Sequence, residues 1–289
     1  MTRTDITVIT VTWNSKELID RQLQSVLAAA GDLHIQQIIV DNASTDGTPA
    51  HILGKHPEVL VLANNYNAGF GAANNQALEH AKGDWLLFLN PDMQLKPGSL
   101  PILLDWMIKH PKVGIASPTL VDEHGNLNEA ATPRRFPQFF EQLTMILKLH
   151  HVFPKLLDKY HMKGVDFTLE HSVDSVRGAF MLMRKEIVQE LGWAWDPRYF
   201  IWYEDVDICR ETRRLGYDVV YTPIIEAIDY VGQSFKQRTT LWKQQQFTKS
   251  MVTYFKKWEP WYKWMPLAVA RPIGIALAWI ADKLHARKK

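Results

Sequence analysis

The chain has 289 residues, of which 46% are hydrophobic and 22% are charged. This length and composition can support a large buried core, which excludes intrinsic disorder and allows one large α/β domain or two small ones. The 33 basic and 31 acidic residues give a formal net charge of +2, which is too small to indicate a nucleic-acid partner. One cysteine, Cys209, excludes an intramolecular disulfide and a multi-cysteine metal site, and it fits a reducing compartment.

The beginning of the chain predicts a cytoplasmic protein. Residues 4–11 have the pattern of a strand and lack the basic start, apolar stretch and small-residue cleavage site of a secretory signal. We therefore expect the chain to stay in the cytoplasm.

The first half of the chain alternates predicted strands and helices. Residues 6–11 are a β-branched run that predicts a strand, and residues 16–30 carry apolar side chains at helical spacing. Further strands are predicted at residues 37–40, 59–62 and 85–89, with a helix at about 71–81. This alternation predicts a parallel α/β sheet.

Every predicted strand in this half is followed by a polar loop, and in such sheets ligands bind at the carboxyl ends of the strands. We therefore expect these loops to share one crevice. Asp41 directly follows a strand, where its carboxylate can accept a hydrogen bond from a pyrimidine N–H; the alternative is a polar loop in which Thr48 caps the next helix. Gly69 and Gly71 let the backbone approach a ligand, although two glycines alone are a weak signal.

Asp92 lies just past the apolar strand predicted at residues 85–89. Hard divalent cations such as Mg²⁺ or Mn²⁺ bridge diphosphate oxygens through one or two carboxylates, and Asp92 is well placed to be one of them. Asn90, Pro91 and Asp92 are also turn formers, so these three residues taken alone favour a simple β-turn.

The pattern changes at about residues 133–165, where apolar and aromatic side chains are interleaved with lysine and histidine. We interpret this segment as an amphipathic insertion. Residues 178–183 then predict a strand, residues 201–207 open a helix that ends at Gly216, and residues 218–221 predict a further strand.

Glu204, Asp205 and Asp207 crowd three acids into the start of that helix. A helix N-terminus stabilises negative charge, so capping is the structural alternative to a functional role. The apolar run at residues 200–203 favours a cleft wall, where Asp205 can serve as a general base. The spacing of Asp207, Arg210 and Arg214 places these side chains along one helix face. We interpret them as structural pairs in preference to substrate contacts.

The last part of the chain, residues 236–289, predicts a helical extension rich in tryptophan and basic residues. Its apolar stretch falls short of an uninterrupted spanning helix of about 20 residues. The interruptions are Lys263, Pro266, Arg271 and Pro272. Tryptophan with lysine and arginine is typical of a segment in a membrane interface. The alternatives are a helical hairpin packed on the body of the protein or a contact between copies in a homo-oligomer.

In their order along the chain, these motifs resemble glycosyltransferase family 2, and within it the bacterial rhamnosyltransferase-like members. The matching elements are residues 11–15, 40–48, 67–75, 89–92, 177–180 and 203–207, with Arg210, Gly216 and Tyr221.

This resemblance implies a GT-A (nucleotide-diphospho-sugar transferase) fold with a mostly parallel central sheet over residues 1–235. It also implies an inverting displacement at the anomeric carbon of a dTDP- or UDP-sugar, with Mn²⁺ or Mg²⁺ as cofactor. The Gln-x-x-Arg-Trp motif of processive relatives is missing, which implies a single addition. The resemblance favours rhamnose as the donor sugar and a glycan or polyprenyl-linked acceptor in cell-surface polysaccharide synthesis. Such an acceptor fits a protein peripheral at the inner face of the cell membrane.

The resemblance also implies roles for individual residues. Asp205 would deprotonate the acceptor hydroxyl, Asp41 would read the pyrimidine base, and Asp92 would hold the metal in the motif that stands where relatives carry Asp-x-Asp. The expected donor-side residues are Thr12, Trp13, Asn14, Asp41, Asn67, Gly69, Phe70, Asn74, Asn90, Gly178 and Ala179. The expected acceptor-side residues are Trp202 and Glu204.

One position departs from the family pattern. Relatives usually carry a histidine, often a metal ligand, shortly after the last strand, and this chain has Asp229 there. Aspartate is also a hard oxygen ligand, so Asp229 is expected to join Asp92 at the metal, unless the change weakens metal dependence.

Two other classes of protein are alternatives. A sugar nucleotidyltransferase should show a glycine-rich basic loop near the N-terminus, which residues 12–15 do not form. A non-catalytic carbohydrate-binding relative should have lost its site acids, whereas Asp41, Asp92 and Asp205 are present.

Overall fold

The structure is a computed structural model, and it describes residues 3–230 and 238–286. Its strands are β1 Ile6–Thr12, β2 Ile35–Asp41, β3 Leu60–Ala63, β4 Trp85–Leu89, β5 Met93–Leu95, β6 Val113–Val121, β7 His171–Ser172, β8 Phe180–Arg184 and β9 Asp218–Asp229. Its α-helices are α1 Lys16–Ala29, α2 Thr48–Lys55, α3 Phe70–Gln76, α4 Ser99–Lys109, α5 Phe139–Ile146, α6 Lys185–Leu191, α7 Glu204–Arg214, α8 Thr240–Trp258 and α9 Trp261–Ala286.

The strands form one sheet in the order β3-β2-β1-β4-β8-β6-β9-β5, with β7 paired to β9. Strands β1 to β4 pair in parallel, as their alternation with helices predicts. Strand β8 runs antiparallel to both β4 and β6, so the sheet is mixed. The predicted strands and helices of the first half are confirmed, and so is the expected mostly parallel sheet, with antiparallel pairing at β5, β7 and β8.

The centre of the sheet is buried on both faces. Leu87 and Leu89 of β4 pack into a cluster with α1 and α4, whereas Leu86 and Phe88 pack into a second cluster with α3, α6 and α7. Successive side chains of a strand point to opposite faces, so a continuous apolar run is what a doubly covered strand requires. This burial fixes where β4 ends and therefore where the polar residues after it emerge.

Strand β9 changes partners along its length. On one edge, β6 pairs in parallel with both halves of β9, with a register irregularity between Ser117 and Thr119 of β6. On the other edge, β7 pairs antiparallel with the first half of β9. Strand β5 then pairs antiparallel with the end of β9, so that Met93 lies opposite Asp229. The backbone N–H of Tyr230 donates to the carbonyl of Asp92 over 3.1 Å. This pairing brings two distant segments, each carrying an aspartate, to the same edge of the sheet.

The amphipathic insertion predicted at about residues 133–165 contains α5 and two short 3-10 helices, at residues 149–151 and 154–157. Part of its apolar surface is open to solvent: Phe140 is 76% exposed and Val152 is 69% exposed. The inner side of α5 is fixed to the protein, because Gln142 is buried and accepts a hydrogen bond from Tyr203 Oη.

Helices α8 and α9 form a hairpin that packs on the insertion and on the start of α7. Met251, Tyr254 and Phe255 of α8 form one buried cluster with Tyr199 and Tyr203. Helix α9 approaches α5 so closely that a Cβ at Gly274 would lie 2.5 Å from the carbonyl oxygen of Ile146. The hairpin alternative raised by the sequence is therefore present in the structure.

The two prolines expected to interrupt the apolar tail, Pro266 and Pro272, both lie inside the continuous helix α9. Residues Trp261–Lys283 are long and apolar enough to cross a membrane by length and composition, with a mean hydropathy of 1.5. Only 22% of the most apolar stretch is buried against the protein. The expectation that this segment falls short of a spanning length is corrected.

A buried ion cluster ties α8 to α7. Lys257 Nζ lies 3.0 Å from Asp196 Oδ2, 2.6 Å from Asp207 Oδ2 and 2.7 Å from Glu211 Oε1. Burial opposes the charge on Lys257, but these carboxylates, Asp207 first, raise its pKa above the ordinary value. Trp258 Nε1 also donates to Asp207 over 2.6 Å. The start of α7 is therefore held by the C-terminal extension.

The predicted pairing of Asp207 with Arg210 and Arg214 along α7 is wrong in its partners. Asp207 pairs with Lys257, Arg210 contacts Tyr254 and Glu259 of the extension, and Arg214 pairs with Glu211. The interpretation that these charges are structural fits the contacts observed.

We expect Lys257→Met to lower the free energy of unfolding by about 3–5 kcal/mol, because it leaves buried carboxylates without their counter-charge. Urea denaturation measures this loss. Lys249 lies on the same helix with an exposed side chain, and Lys249→Met should change stability by less than about 0.5 kcal/mol. Similar small losses in both variants would show that the cluster is not a structural tie.

Candidate active site

A cavity of about 290 Å³ opens at the carboxyl ends of β1, β2 and β4 and is bordered on one side by Asp92, just before β5, and by Asp229, at the end of β9. Its lining includes many of the side chains selected from the sequence, namely Trp13, Asn67, Gly69, Phe70, Asn90, Asp92, Ala179, Trp202 and Asp229. The predicted crevice therefore exists. The other selected residues, which lie behind or beside this lining, are Thr12, Asn14, Asp41, Asn74, Gly178, Glu204 and Asp205.

Asp41 lies under the cavity and organises two loops. Its buried carboxylate accepts hydrogen bonds from Thr12 Oγ1 at 2.8 Å, from the backbone N–H of Ser44 at 2.8 Å and from Ser44 Oγ at 2.5 Å. The Asn14 backbone N–H donates to Ser44 Oγ over 2.8 Å, and Asn14 adopts a φ of 51°. Thr12, Asn14 and Asp41 thus shape the wall that Trp13 presents to the cavity.

The loop after β3 needs a glycine. Gly69 has a φ of +87°, and a Cβ there would lie 2.5 Å from the carbonyl oxygen of Phe200. That oxygen accepts a hydrogen bond from the Phe70 N–H over 2.8 Å. Asn74 is buried and donates to the Phe70 carbonyl over 3.0 Å, so it supports the first turn of α3 from behind.

Asp92 and Asp229 lie at the same end of the cavity, and each is 8% exposed. Asp229 Oδ2 accepts a hydrogen bond from Asn128 Nδ2 over 3.1 Å. Within residues 3–230 and 238–286, no group of three or more His, Cys, Asp or Glu side chains is placed to hold a metal ion. Two carboxylates nevertheless suit a hard cation that takes its other ligands from a diphosphate and water. These residues therefore fit a Mg²⁺ or Mn²⁺ ion that binds together with a nucleotide.

Asp205 stands on a neighbouring wall, at the start of α7. The two residues that lead into the helix, Trp202 and Tyr203, have φ values of 64° and 69°, which are unusual for bulky side chains. Val206 N–H donates to Asp205 Oδ1 over 2.9 Å, and Gly178 N–H lies 3.5 Å from Asp205 Oδ2. Asp205 lines a smaller second cavity, which shares Arg177 and Trp202 with the first.

Glu204 differs from its neighbour Asp205. It is buried, its Oε2 atom has no hydrogen-bond partner among the described residues, and it lines neither cavity. Burial, and then the charge of Asp205, raise the pKa of Glu204 to about 8. The side chain is therefore mainly a neutral acid at pH 7. An acceptor-side role for Glu204 stays a prediction.

The structure adds lining residues that the sequence did not select. Arg238 lies 4.0 Å from the centre of the Trp13 ring and 4.8 Å from that of Trp242. Arg177 and Asn42 also line the cavity. Asn42 and Arg177 belong to motifs that match the family, whereas Arg238 falls beyond the domain end expected at residue 235. Basic and aromatic side chains from the extension thus close one side of the cavity.

The family described as Glycosyl transferase family 2 matches residues 7–192. The chain belongs to this family and is a glycosyltransferase. Membership favours glycosyl transfer over the nucleotidyltransferase and non-catalytic alternatives.

Curated relatives include rhamnosyltransferases. The chain is 29% identical over 240 residues to the N-acetylglucosaminyl-diphospho-decaprenol L-rhamnosyltransferase of Mycobacterium tuberculosis, a match that covers 78% of this chain and 76% of that protein. It is 26% identical over 247 residues to the rhamnosyltransferase WbbL of Escherichia coli K12, covering 81% and 88%.

Solved structures share the GT-A fold. The mannosyltransferase PcManGT from Pyrobaculum calidifontis, solved with GDP-Man and Mn²⁺, matches with a TM-score of 0.58 and 18% identity over 100% of this chain and 76% of that one. TarS 1-349 from S. aureus, solved with UDP-GlcNAc, matches with a TM-score of 0.56 and 15% identity over 86% and 65%. The fold expected from the resemblance is confirmed.

We expect Glu204→Gln to alter how stability depends on pH. The pKa of Glu204 is raised to about 8 from an ordinary value of 4.5, so its contribution is full below pH 4.5 and is lost as the pH rises through 8. The variant lacks this titration, and its Tm should rise relative to wild type between about pH 5 and about pH 9. Thermal unfolding at both pH values measures the change, and a constant Tm difference would contradict it.

Proposed function

We propose that this enzyme transfers one sugar, with inversion, from a pyrimidine nucleoside diphosphate to a hydroxyl of a glycan or polyprenyl-linked acceptor in cell-surface polysaccharide synthesis. The observation that carries the proposal is the convergence of Asp92 and Asp229 in one cavity with Asp205 on the adjoining wall. One acidic pair suits the leaving diphosphate, and the separate acid suits the acceptor.

The donor would lie along the carboxyl edge of β1, β2 and β4. Asp41, which holds the first two loops from behind, would read the pyrimidine, and Trp13 would form an aromatic wall beside it. Asp92 and Asp229 would hold a Mn²⁺ or Mg²⁺ ion, which neutralises the leaving diphosphate when bound. Gly178 and Ala179 would border the sugar, because Ala179 lines the cavity and Gly178 contacts the start of α7.

Asp205 would act as the base. Single displacement with inversion requires the acceptor hydroxyl to attack the anomeric carbon opposite the leaving diphosphate, so the base must stand apart from the metal ligands. Asp205 meets this requirement, since it lies in the second cavity and Asp92 and Asp229 line the first. The Val206 N–H, which donates to Asp205 Oδ1 over 2.9 Å, fixes the carboxylate as it takes the proton.

We propose that the donor sugar is rhamnose. Two relatives, the proteins from M. tuberculosis and E. coli, are named as rhamnosyltransferases. The name of the M. tuberculosis protein also specifies a decaprenol-linked acceptor, which supports a lipid-linked acceptor for the present enzyme.

A membrane surface is the proposed place of action, at the cytoplasmic face. Helix α9 has an open apolar side, on which Val269 is 69% exposed and Trp279 is 51% exposed. Lys283 Nζ lies 5.8 Å from the centre of the Trp279 ring. An aromatic ring beside a lysine suits a membrane interface with anionic headgroups. A helix lying in the interface would keep the cavity near a lipid-linked substrate.

We expect Asp205→Asn to lower kcat by about 10²–10⁴-fold, because the amide keeps the shape of the side chain but cannot take the acceptor proton. The assay is sugar transfer from UDP- or dTDP-sugars with Mn²⁺ present. Asp105→Asn, at an exposed position of α4, is the control and should retain wild-type kcat. Equal rates for the Asp205 variant and wild type would remove Asp205 from the chemistry.

Val269→Glu combined with Trp279→Glu should weaken binding to anionic phospholipid vesicles by about tenfold or more, since each change places a charge where an apolar side chain would be buried. Vesicle cosedimentation measures the loss. Gln24→Glu with Gln189→Glu adds the same charge at exposed positions of the GT-A domain and should bind like wild type. If vesicle binding is unchanged but a dimer dissociates in sedimentation velocity, the face is an oligomer contact instead.

A further inference from the structure

The second cavity, beside Asp205, has a volume of about 30 Å³. It is lined by Arg134, Tyr160, Arg177, Trp202, Asp205 and Phe247, among others. The proposed catalytic base therefore faces the same small space as two guanidinium groups. Arg134 has no role in the proposed donor chemistry, and Arg177 lines both cavities.

The insertion delivers Arg134 to this position. Arg134 and Ser175 exchange backbone hydrogen bonds of 3.0 Å in each direction, and Ser175 Oγ donates to the Arg134 carbonyl over 3.1 Å. The next residue, Arg135, donates from its N–H to the Tyr160 carbonyl over 3.0 Å. These bonds anchor both ends of the insertion next to Arg177. The Arg134 guanidinium lies 5.6 Å from the centre of the Tyr160 ring.

The charges around the cavity leave a positive excess. Across residues 3–230 and 238–286, neither Arg134 nor Arg177 forms an ion pair within 4.0 Å. Burial, and then the charge of Arg134, lower the pKa of Arg177, although Asp205 and Asp229 act in the opposite direction. The pKa of His161 is also lowered, by burial and then by Arg134. Two cations that disfavour each other in a partly buried space are stabilised by an anion.

We propose that Arg134 and Arg177 bind an anionic group of the acceptor, next to the hydroxyl that Asp205 deprotonates. This inference rests on the proposed function, because it places the acceptor at Asp205. A cavity of this size holds about two water-sized groups, so it suits the terminal oxygens of a phosphate or a carboxylate and is too small for a sugar ring. Guanidinium forks match both anions.

The position of the cavity separates this anion from the donor diphosphate. Asp92 and Asp229, the proposed metal ligands, line the large cavity, whereas Asp205 and Arg134 line the small one; Arg177 and Trp202 belong to both. The insertion that carries Arg134 also exposes Phe140, Val152 and Phe153 to solvent. An acceptor whose phosphates lie between a sugar and a lipid would place its anion at the arginines and its chain towards this apolar surface.

The test measures binding by calorimetry with three probes: farnesyl diphosphate, uncharged farnesol and octyl glucuronide. Each titration is made with UDP and Mn²⁺ present, so that the donor site is filled. We expect wild type to bind farnesyl diphosphate, and Arg134→Gln to weaken that binding by about tenfold or more, the effect of losing a charge-assisted contact. Arg134→Lys should restore part of the affinity. Arg135→Gln, at the exposed neighbouring residue, should bind like wild type.

Farnesol binding should be the same in wild type and Arg134→Gln, which separates loss of the anion contact from misfolding. A tenfold loss confined to octyl glucuronide would support the site with a carboxylate as its ligand. Equal affinity of Arg134→Gln and wild type for both anions would overturn the inference while leaving the proposed function intact. Failure of wild type to bind UDP would count against the proposed function. Even then, comparing the anion affinities of wild type and Arg134→Gln would show whether the second cavity binds an anion.

Discussion

Three residues of antiparallel pairing between β5 and the end of β9 hold Asp92 and Asp229 at one edge of the sheet. Met93 lies opposite Asp229, and the hydrogen bond from Tyr230 to the Asp92 carbonyl continues the ladder past that pair. The geometry of the proposed metal site is therefore backbone geometry. It depends on how β9 is aligned with its neighbouring strands. The register shift between β6 and β9 determines that alignment.

The position of the proposed base has a different origin. Asp205 lies two residues before Asp207, whose carboxylate is held by Lys257 and Trp258 at the end of α8. Tyr199 Oη also donates to Asp207 over 3.1 Å, which fixes the segment that leads into α7. The C-terminal extension thus supports the segment that carries the proposed base and also has an exposed apolar face of its own. Membrane contact and the chemistry of the site would then share one structural element.

Much of the sheet and loops around the large cavity can be predicted from the sequence, because local sequence pattern determines them. Strand β4 is recognisable since all of its residues are apolar, and the polar loops follow because parallel strands present their carboxyl ends at one edge. Arg134 could not be selected in this way, because contacts with Ser175 and Tyr160 bring it to the site. Likewise, the partner of Asp207 is 50 residues away, so helix spacing suggested Arg210 instead. The expected interruption at Pro266 and Pro272 was wrong, because composition does not show that α9 continues through them.

A crystal structure with UDP and Mn²⁺, with the metal located by anomalous scattering, tests the central claim most directly. The account predicts one manganese peak in contact with carboxylate oxygens of Asp92 and Asp229, with the UDP diphosphate on the same ion and the uracil beside Asp41 and Trp13. Manganese or UDP bound elsewhere, with the large cavity empty, would contradict the account.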